Sequence, residues 1–262
     1  MLSFCAFEDQ EKRFMEQEIY WIWLSHSPRI QVRQVKELGK VYESLEALWQ
    51  EKNAKALQKI PQIGEKLASE ILKKEGKEQA ICEWEKCKEK KVQVLGLTEE
   101  NYPTLLKQIY DPPICLYVQG NASLLQEPSI AIVGAREASQ YAQKVAYFLA
   151  YQLAQNNIHI VSGLAKGVDS YSHRGAIRAY NGKKTGKTIA VMGTGCDTIY
   201  PKENAKLYGQ ILASGGAIVS EYKMGTPLNR YHFPERNRII SGLTKRYGCS
   251  RSQRKKRFFN YR

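Results

Sequence analysis

Three glycine-bearing turns and one arginine-rich segment hold most of the reactive or ligand-binding side chains. The first turn is Val133-Gly134-Ala135-Arg136-Glu137-Ala138-Ser139. Glycine there lets backbone N–H groups face a ligand, Ser139 can cap a following helix, and Arg136 supplies a planar fork suited to phosphate. The second, Ser162-Gly163-Leu164-Ala165-Lys166-Gly167-Val168-Asp169, adds two glycines and Lys166, with His173 one helical turn beyond Asp169. Together with Arg136 it reads as an anion site. Asp169 and His173 are the types that do acid–base work, but no nucleophile is placed with them, so the pair reads as a structural hydrogen bond. The third turn, Gly193-Thr194-Gly195-Cys196-Asp197, runs into Tyr200-Pro201-Lys202-Glu203-Asn204. Farther on, Phe233-Pro234-Glu235-Arg236-Asn237-Arg238 sets two arginines and an asparagine behind a proline. That group suits either a grip on a backbone phosphate or a salt-bridged loop.

Two common nucleotide signatures do not fit. A dinucleotide site needs G-x-G-x-x-G after the first strand, and only Gly134 of the three glycines is present. Residues 182–188, GKKTGKT, are one residue short of a phosphate loop and precede a strand instead of following one, so they read as a solvated basic loop.

The elements that must position these turns are legible as alternating patterns. From residue 129, SIAIVG, IHIVSG, TIAVMGTG and GAIVSEY are short β-branched runs separated by amphipathic stretches such as SQYAQKVAYFLAYQLAQNN. This β-α alternation predicts a parallel sheet with helices on its faces, and the apolar strands predict burial on both sides. The turns then meet at the carboxyl ends of neighbouring strands, in one crevice. Residues 1–95 read as a helical domain, from the three- and four-residue spacing of apolar positions in EKRFMEQEIYWIWLSH and SLEALWQEKNAKALQKI. Within it, residues 57–74 have helix-hairpin-helix character, where Gly64 would admit a phosphate and Lys66 would add charge, or where two helices simply meet at a tight turn. Residues 96–128, with Asp111-Pro112-Pro113, read as a connecting segment.

Composition narrows the classes further. The chain has 262 residues, 43% hydrophobic and 25% charged, which excludes disorder and collagen-like repeats. It has no apolar run of membrane-spanning length, and its acidic N-terminus is unlike a signal peptide, so a soluble cytoplasmic protein is expected. The six cysteines lack zinc-site spacing and read as free thiols, with no metal or cofactor implied. Net charge is +14, but residues 245–262 hold eight basic residues and no acid, which leaves +6 for the rest. A moderately basic body remains, suited to an anionic partner such as nucleic acid.

Taken in order, VGAREAS, SGLAKGVDSYSH, GTGCDTIYPKEN, SEY and FPERNRIISGLT closely resemble the DprA (Smf) family of DNA-processing proteins, over roughly residues 100–244. The resemblance implies an α/β fold: an extended Rossmann-like parallel sheet core over residues 129–244, C-terminally incomplete, preceded by a small all-α domain. It implies a non-catalytic protein of natural transformation that binds and protects single-stranded DNA in the cytoplasm, loads the RecA recombinase and forms a homodimer. Carried over, the DNA pocket comprises Arg136, Lys166, Asn237 and Arg238, with the backbone of Gly134, Ser162 and Gly163. Tyr200 and Phe233 are near enough in motif order to stack on bases. The other readings are a phosphoribohydrolase-like nucleotide enzyme, whose P-G-G-x-G-T turn is missing here, and a plain helix-hairpin-helix module.

After SGLT the chain departs from the family, continuing as KRYGCSRSQRKKRFFNYR with neither helix nor strand periodicity. Codons can be chosen for this stretch such that deleting one A yields Thr-Lys-Gly-Met-Val-Val-Val-Glu-Ala-Lys-Glu-Lys-Ser-Gly-Ser-Leu-Ile-Thr, the strand and helix start that the family carries. The expectation is an aberrant basic tail over 245–262 produced by a shifted frame after Thr244. An unstable product would follow, with dimerisation and the recombinase contact the functions most affected; a genuine basic arm is the competing reading.

Overall fold

Short runs rich in valine, isoleucine and threonine become strands because their branched side chains pack well on a pleated, enclosed surface. In the computed structural model, residues 17–27, 30–180 and 185–249 are described, the last four as backbone. The helical part comprises α1 (Gln17–His26), α2 (Val32–Val41), α3 (Leu45–Gln50), α4 (Ala54–Gln58), α5 (Glu65–Leu72) and α6 (Lys74–Glu89). There follow β1 (Val92–Gly96), β2 (Cys115–Gly120) and β3 (Ser129–Val133), then α7 (Gln140–Gln155), β4 (His159–Ser162), α8 (Val168–Ala179) and β5 (Thr188–Val191). The order closes with α9 (Ala205–Ala213), β6 (Ala217–Ser220), α10 (His232–Gly242) and β7 (Arg246–Cys249).

The sheet runs β1-β2-β6-β5-β4-β3-β7. Strands β6, β5, β4, β3 and β7 are parallel, and β4, β5 and β6 are buried along their whole length, as continuous apolar runs require. The helix α10 carries the chain from β6 back to the far side of β3, where β7 pairs Ile130 with Arg246 and Val133 with Cys249. Two expectations change here. The segment read as a connection supplies β2 and its own helical turns, and β1 and β2 pair antiparallel before β2 joins β6 antiparallel through Tyr117 and Ser220. The start of the tail, read as lacking strand periodicity, forms β7. The exposed edge of β3 offers unpaired backbone groups, and backbone pairing does not need an apolar sequence. The tail from residue 250, residues 182–184 of the basic loop, and Cys5 lie outside the described residues.

One hydrophobic cluster runs from α1 through β1 and β2 to α10. Its densest part is α1, whose Ile19, Tyr20, Trp21, Ile22, Trp23 and Leu24 are all buried, with Trp49 edge-on to Tyr20 and Trp23. In the hairpin of α4 and α5, Leu57, Ile60, Ile63, Leu67 and Ile71 pack inward, while Gly64, the N-cap of α5, and Lys66 face solvent. Cys82, Cys87, Cys115 and Cys196 are free thiols. Among the described residues, no helix is long and apolar enough to cross a membrane.

Candidate nucleic-acid interface

The three turns meet where parallel strands end, and their floor is built from buried charge. Asp169, near the start of α8, accepts the Gly134 N–H at 3.4 Å on one carboxylate oxygen and the Gly163 N–H at 3.2 Å on the other. A further backbone hydrogen bond comes from Ala165. Burial pushes the Asp169 carboxyl up, while Arg236 and these amides oppose that shift. The amides that the sequence turns toward a ligand are thus occupied by the protein's own carboxylate. The Ser162 hydroxyl is fully buried and donates to the Ile132 carbonyl at 2.6 Å, so it too is framework.

His173 does not pair with Asp169. Its Nε2 accepts the Leu164 N–H at 3.3 Å and its Nδ1 meets Thr188 Oγ1 at 2.6 Å, while that hydroxyl donates to the Ile160 carbonyl at 3.0 Å. These partners require a neutral ring protonated on Nδ1. Burial, with Arg236 adding to it, holds its pKa down to about 3. Both side chains fix the second turn, which agrees with a structural reading, although each bonds the loop and not the other.

Arg236, which the sequence gives no distinct role, is the central support. It is 4% exposed and donates to the carbonyls of Gly163, at 2.9 Å, and Val191, tying the ends of β4 and β5 to α10. A Cβ on Gly163 would run into its guanidinium, so any larger residue there must displace the buried Arg236. Burial lowers its pKa to about 10, with Arg136 adding to the fall and Asp169 resisting it.

Above this floor lies an open cavity of about 580 Å³ lined by Arg136, Tyr200, Phe233 and the segment Pro227–His232. The Arg136 guanidinium sits over the Phe233 ring at 5.2 Å, and Tyr200 lies 5.6 Å from the same ring. His232 stacks on Tyr222 at 3.9 Å and bonds the Gly193 carbonyl at 3.1 Å, which holds the third turn against the start of α10. Arg230 and Tyr231 also line the cavity and are exposed, with Arg230 over the Tyr231 ring at 4.8 Å. Sequence reasoning missed these two; the only signal was a basic–aromatic pair in PLNRYH.

Of the seven candidate residues, Arg136 lines the cavity. Asn237 is exposed one helical turn beyond Phe233, on the same face of α10. Lys166 is exposed and paired with Glu203 at 2.6 Å, a surface contact between side chains 57% and 65% exposed that leaves its charge usable. Arg238 is placed differently: it holds Glu221 bidentately, at 2.9 and 2.5 Å, and reaches Asp111 at 3.5 Å. Two residues on from Arg236, it points to another side of α10 and serves the salt-bridged alternative. Gly134, Ser162 and Gly163 form the floor. Gly64 and Lys66 lie on the α4–α5 hairpin and do not line this cavity.

The sequence model of the DNA recombination-mediator protein A family matches residues 93–254, which include every turn described above. The chain belongs to this family. Protein Smf of Synechocystis is 34% identical over 233 residues, which cover 87% of this chain and 57% of that relative; the chain thus spans little more than half its length. The structure of DNA processing protein A (DprA) from Streptococcus pneumoniae matches with a TM-score of 0.66 at 30% identity, over 90% of this chain and 77% of that one. DprA from Helicobacter pylori, which binds single-stranded DNA, matches with a TM-score of 0.54 at 32% identity, over 63% and 71%. The sheet and its preceding helices are therefore the DprA fold, and the Rossmann-like core inferred from the motifs is present.

Proposed function

We propose that this chain binds single-stranded DNA across the crevice at the carboxyl ends of β3, β4 and β5, as a non-catalytic DNA-processing protein of natural transformation in the cytoplasm. The observation that carries this reading is the Arg136–Phe233–Tyr200 cluster lining one open cavity together with Arg230 and Tyr231. Aromatic faces accept any base and basic groups follow the phosphates, so binding is sequence-tolerant and salt-sensitive. Asp169 is committed to backbone amides and His173 to the Leu164 amide and the Thr188 hydroxyl, which favours binding over catalysis by this couple. Loading of the RecA recombinase and homodimerisation rest on the family resemblance.

Fluorescence anisotropy of a labelled oligothymidine at several salt concentrations tests the reading. Binding should weaken steeply with salt, and Arg136→Ala should reduce the log–log slope by about 0.7, the share of one phosphate contact on a single strand. Equal affinity of Arg136→Ala and the unaltered chain at every salt concentration would overturn it.

A further inference from the structure

The wall of the cavity that carries Arg230 and Tyr231 stands on a footing supplied by the helical domain. Between β6 and α10 the chain forms no helix or strand, yet it contributes most of the cavity lining. Its anchor is a pair of consecutive amides. The Met224 N–H donates to Glu83 Oε1 at 2.5 Å, and the Gly225 N–H donates to Asp197 Oδ1 at 2.6 Å. Asp197 in turn takes Lys90 Nζ at 2.9 Å on its other oxygen, and the Gly195 N–H reaches the Thr226 carbonyl at 3.1 Å. Glu83 belongs to α6 and Lys90 caps that helix. Glu83 is only 4% exposed and lies on the inner face of α6 with Ala80 and Cys87, where a carboxylate is costly unless it is hydrogen-bonded. The partner it has found is the crevice loop.

We infer that Glu83 is a positioning residue for the nucleic-acid crevice, holding Arg230 and Tyr231 in place through the Met224 amide, so that the helical domain tunes a site it does not line. The inference rests on the single-stranded DNA reading for its effect on affinity, but the tethering of the loop is independent of it. Removing the carboxylate frees the loop and withdraws its contacts from a bound strand. An isosteric amide keeps an oxygen to accept the Met224 N–H and restores them.

The test uses the full chain with Glu83→Ala, Glu83→Gln, and Arg230→Ala or Arg136→Ala in each background, read by oligothymidine anisotropy and by hydrogen exchange over residues 223–231. Glu83→Ala should bind about tenfold more weakly, the size of one lost stacking or charge contact, with Glu83→Gln within about twofold of the unaltered chain. Arg230→Ala should then cost almost nothing further in the Glu83→Ala background, whereas Arg136→Ala should cost as much as before; such non-additivity marks action through the loop and not through general stability. Exchange should quicken at 223–231 and stay unchanged in α7 and α8. If Glu83→Ala does not fold, Glu83→Met preserves side-chain volume and takes its place. Additive effects of Glu83→Ala and Arg230→Ala, or unaltered loop exchange, overturn the inference. If no form binds oligothymidine while exchange quickens in the loop, the DNA reading falls and the positioning role stands.

Discussion

Lowering the pH from 7.5 to 5 should destabilise the fold through two imidazoles that it holds uncharged. His173 is completely enclosed, and burial keeps its pKa near 3; His26, bonded to the Tyr117 hydroxyl, is kept near 4 by burial and by Lys223. In the unfolded chain each returns to about 6.5. The unfolded chain therefore binds protons that the native chain refuses, so the stability contribution is complete above pH 6.5 and is lost as the pH falls toward the folded values. At pH 5 the loss is about 2 kcal/mol for His173 and somewhat less for the partly exposed His26. Together that is a fall in Tm of roughly 10 °C for a chain of this size. Glu83, Glu99, Asp169 and Glu221, whose pKa values burial raises, act in the opposite sense, so the comparison must isolate the ring. Thermal unfolding followed by circular dichroism at several pH values, on the unaltered chain and on His173→Gln, does so. The variant starts less stable at pH 7.5 but loses about 2 kcal/mol less across the interval. Parallel curves for the two proteins would refute the reasoning.

Three further outcomes are expected. Gly163→Ala drives a methyl group into the Arg236 guanidinium and should cost about 1–3 kcal/mol in urea unfolding, as overpacking does when a buried, hydrogen-bonded group must shift. Arg238→Ala strands the enclosed Glu221 carboxylate and should cost about 3–5 kcal/mol of stability, while the salt slope of oligothymidine binding stays unchanged. Tyr200→Ala should weaken oligothymidine binding by about 1–3 kcal/mol, the value of one lost base stack, and also leave the salt slope unchanged, since no phosphate contact is removed.

The strands β3 to β6 and their glycine turns were legible because each is a local signal: a β-branched run, a glycine, then an amphipathic helix. Ser139 caps α7 by accepting the Ala142 N–H at 3.2 Å, as its position suggested. What escaped the sequence depends on distant partners. VQVLG falls at the end of the stretch read as helical and CLYVQG inside the one read as a connection, because β1 pairs only with β2 and β2 finds its partner β6 a hundred residues later. Arg236 and Arg238 sit two apart in one polar segment, and only the register of α10 against β5 sends one into the floor and the other to Glu221 and Asp111. The amides of Gly134 and Gly163 seemed open to an anion because nothing in VGAREAS reveals that Asp169 will claim them.

That claim by Asp169 also bears on selectivity. With a resident carboxylate already seated among the glycine amides, a lone nucleotide or phosphate ion finds no vacant cradle and must rely on one or two exposed side chains. A polymer meets them in succession, each weak contact raising the local concentration of the next. On the single-stranded DNA reading proposed above, turns that resemble a nucleotide pocket in sequence would act as a track that rewards length over any single monomer.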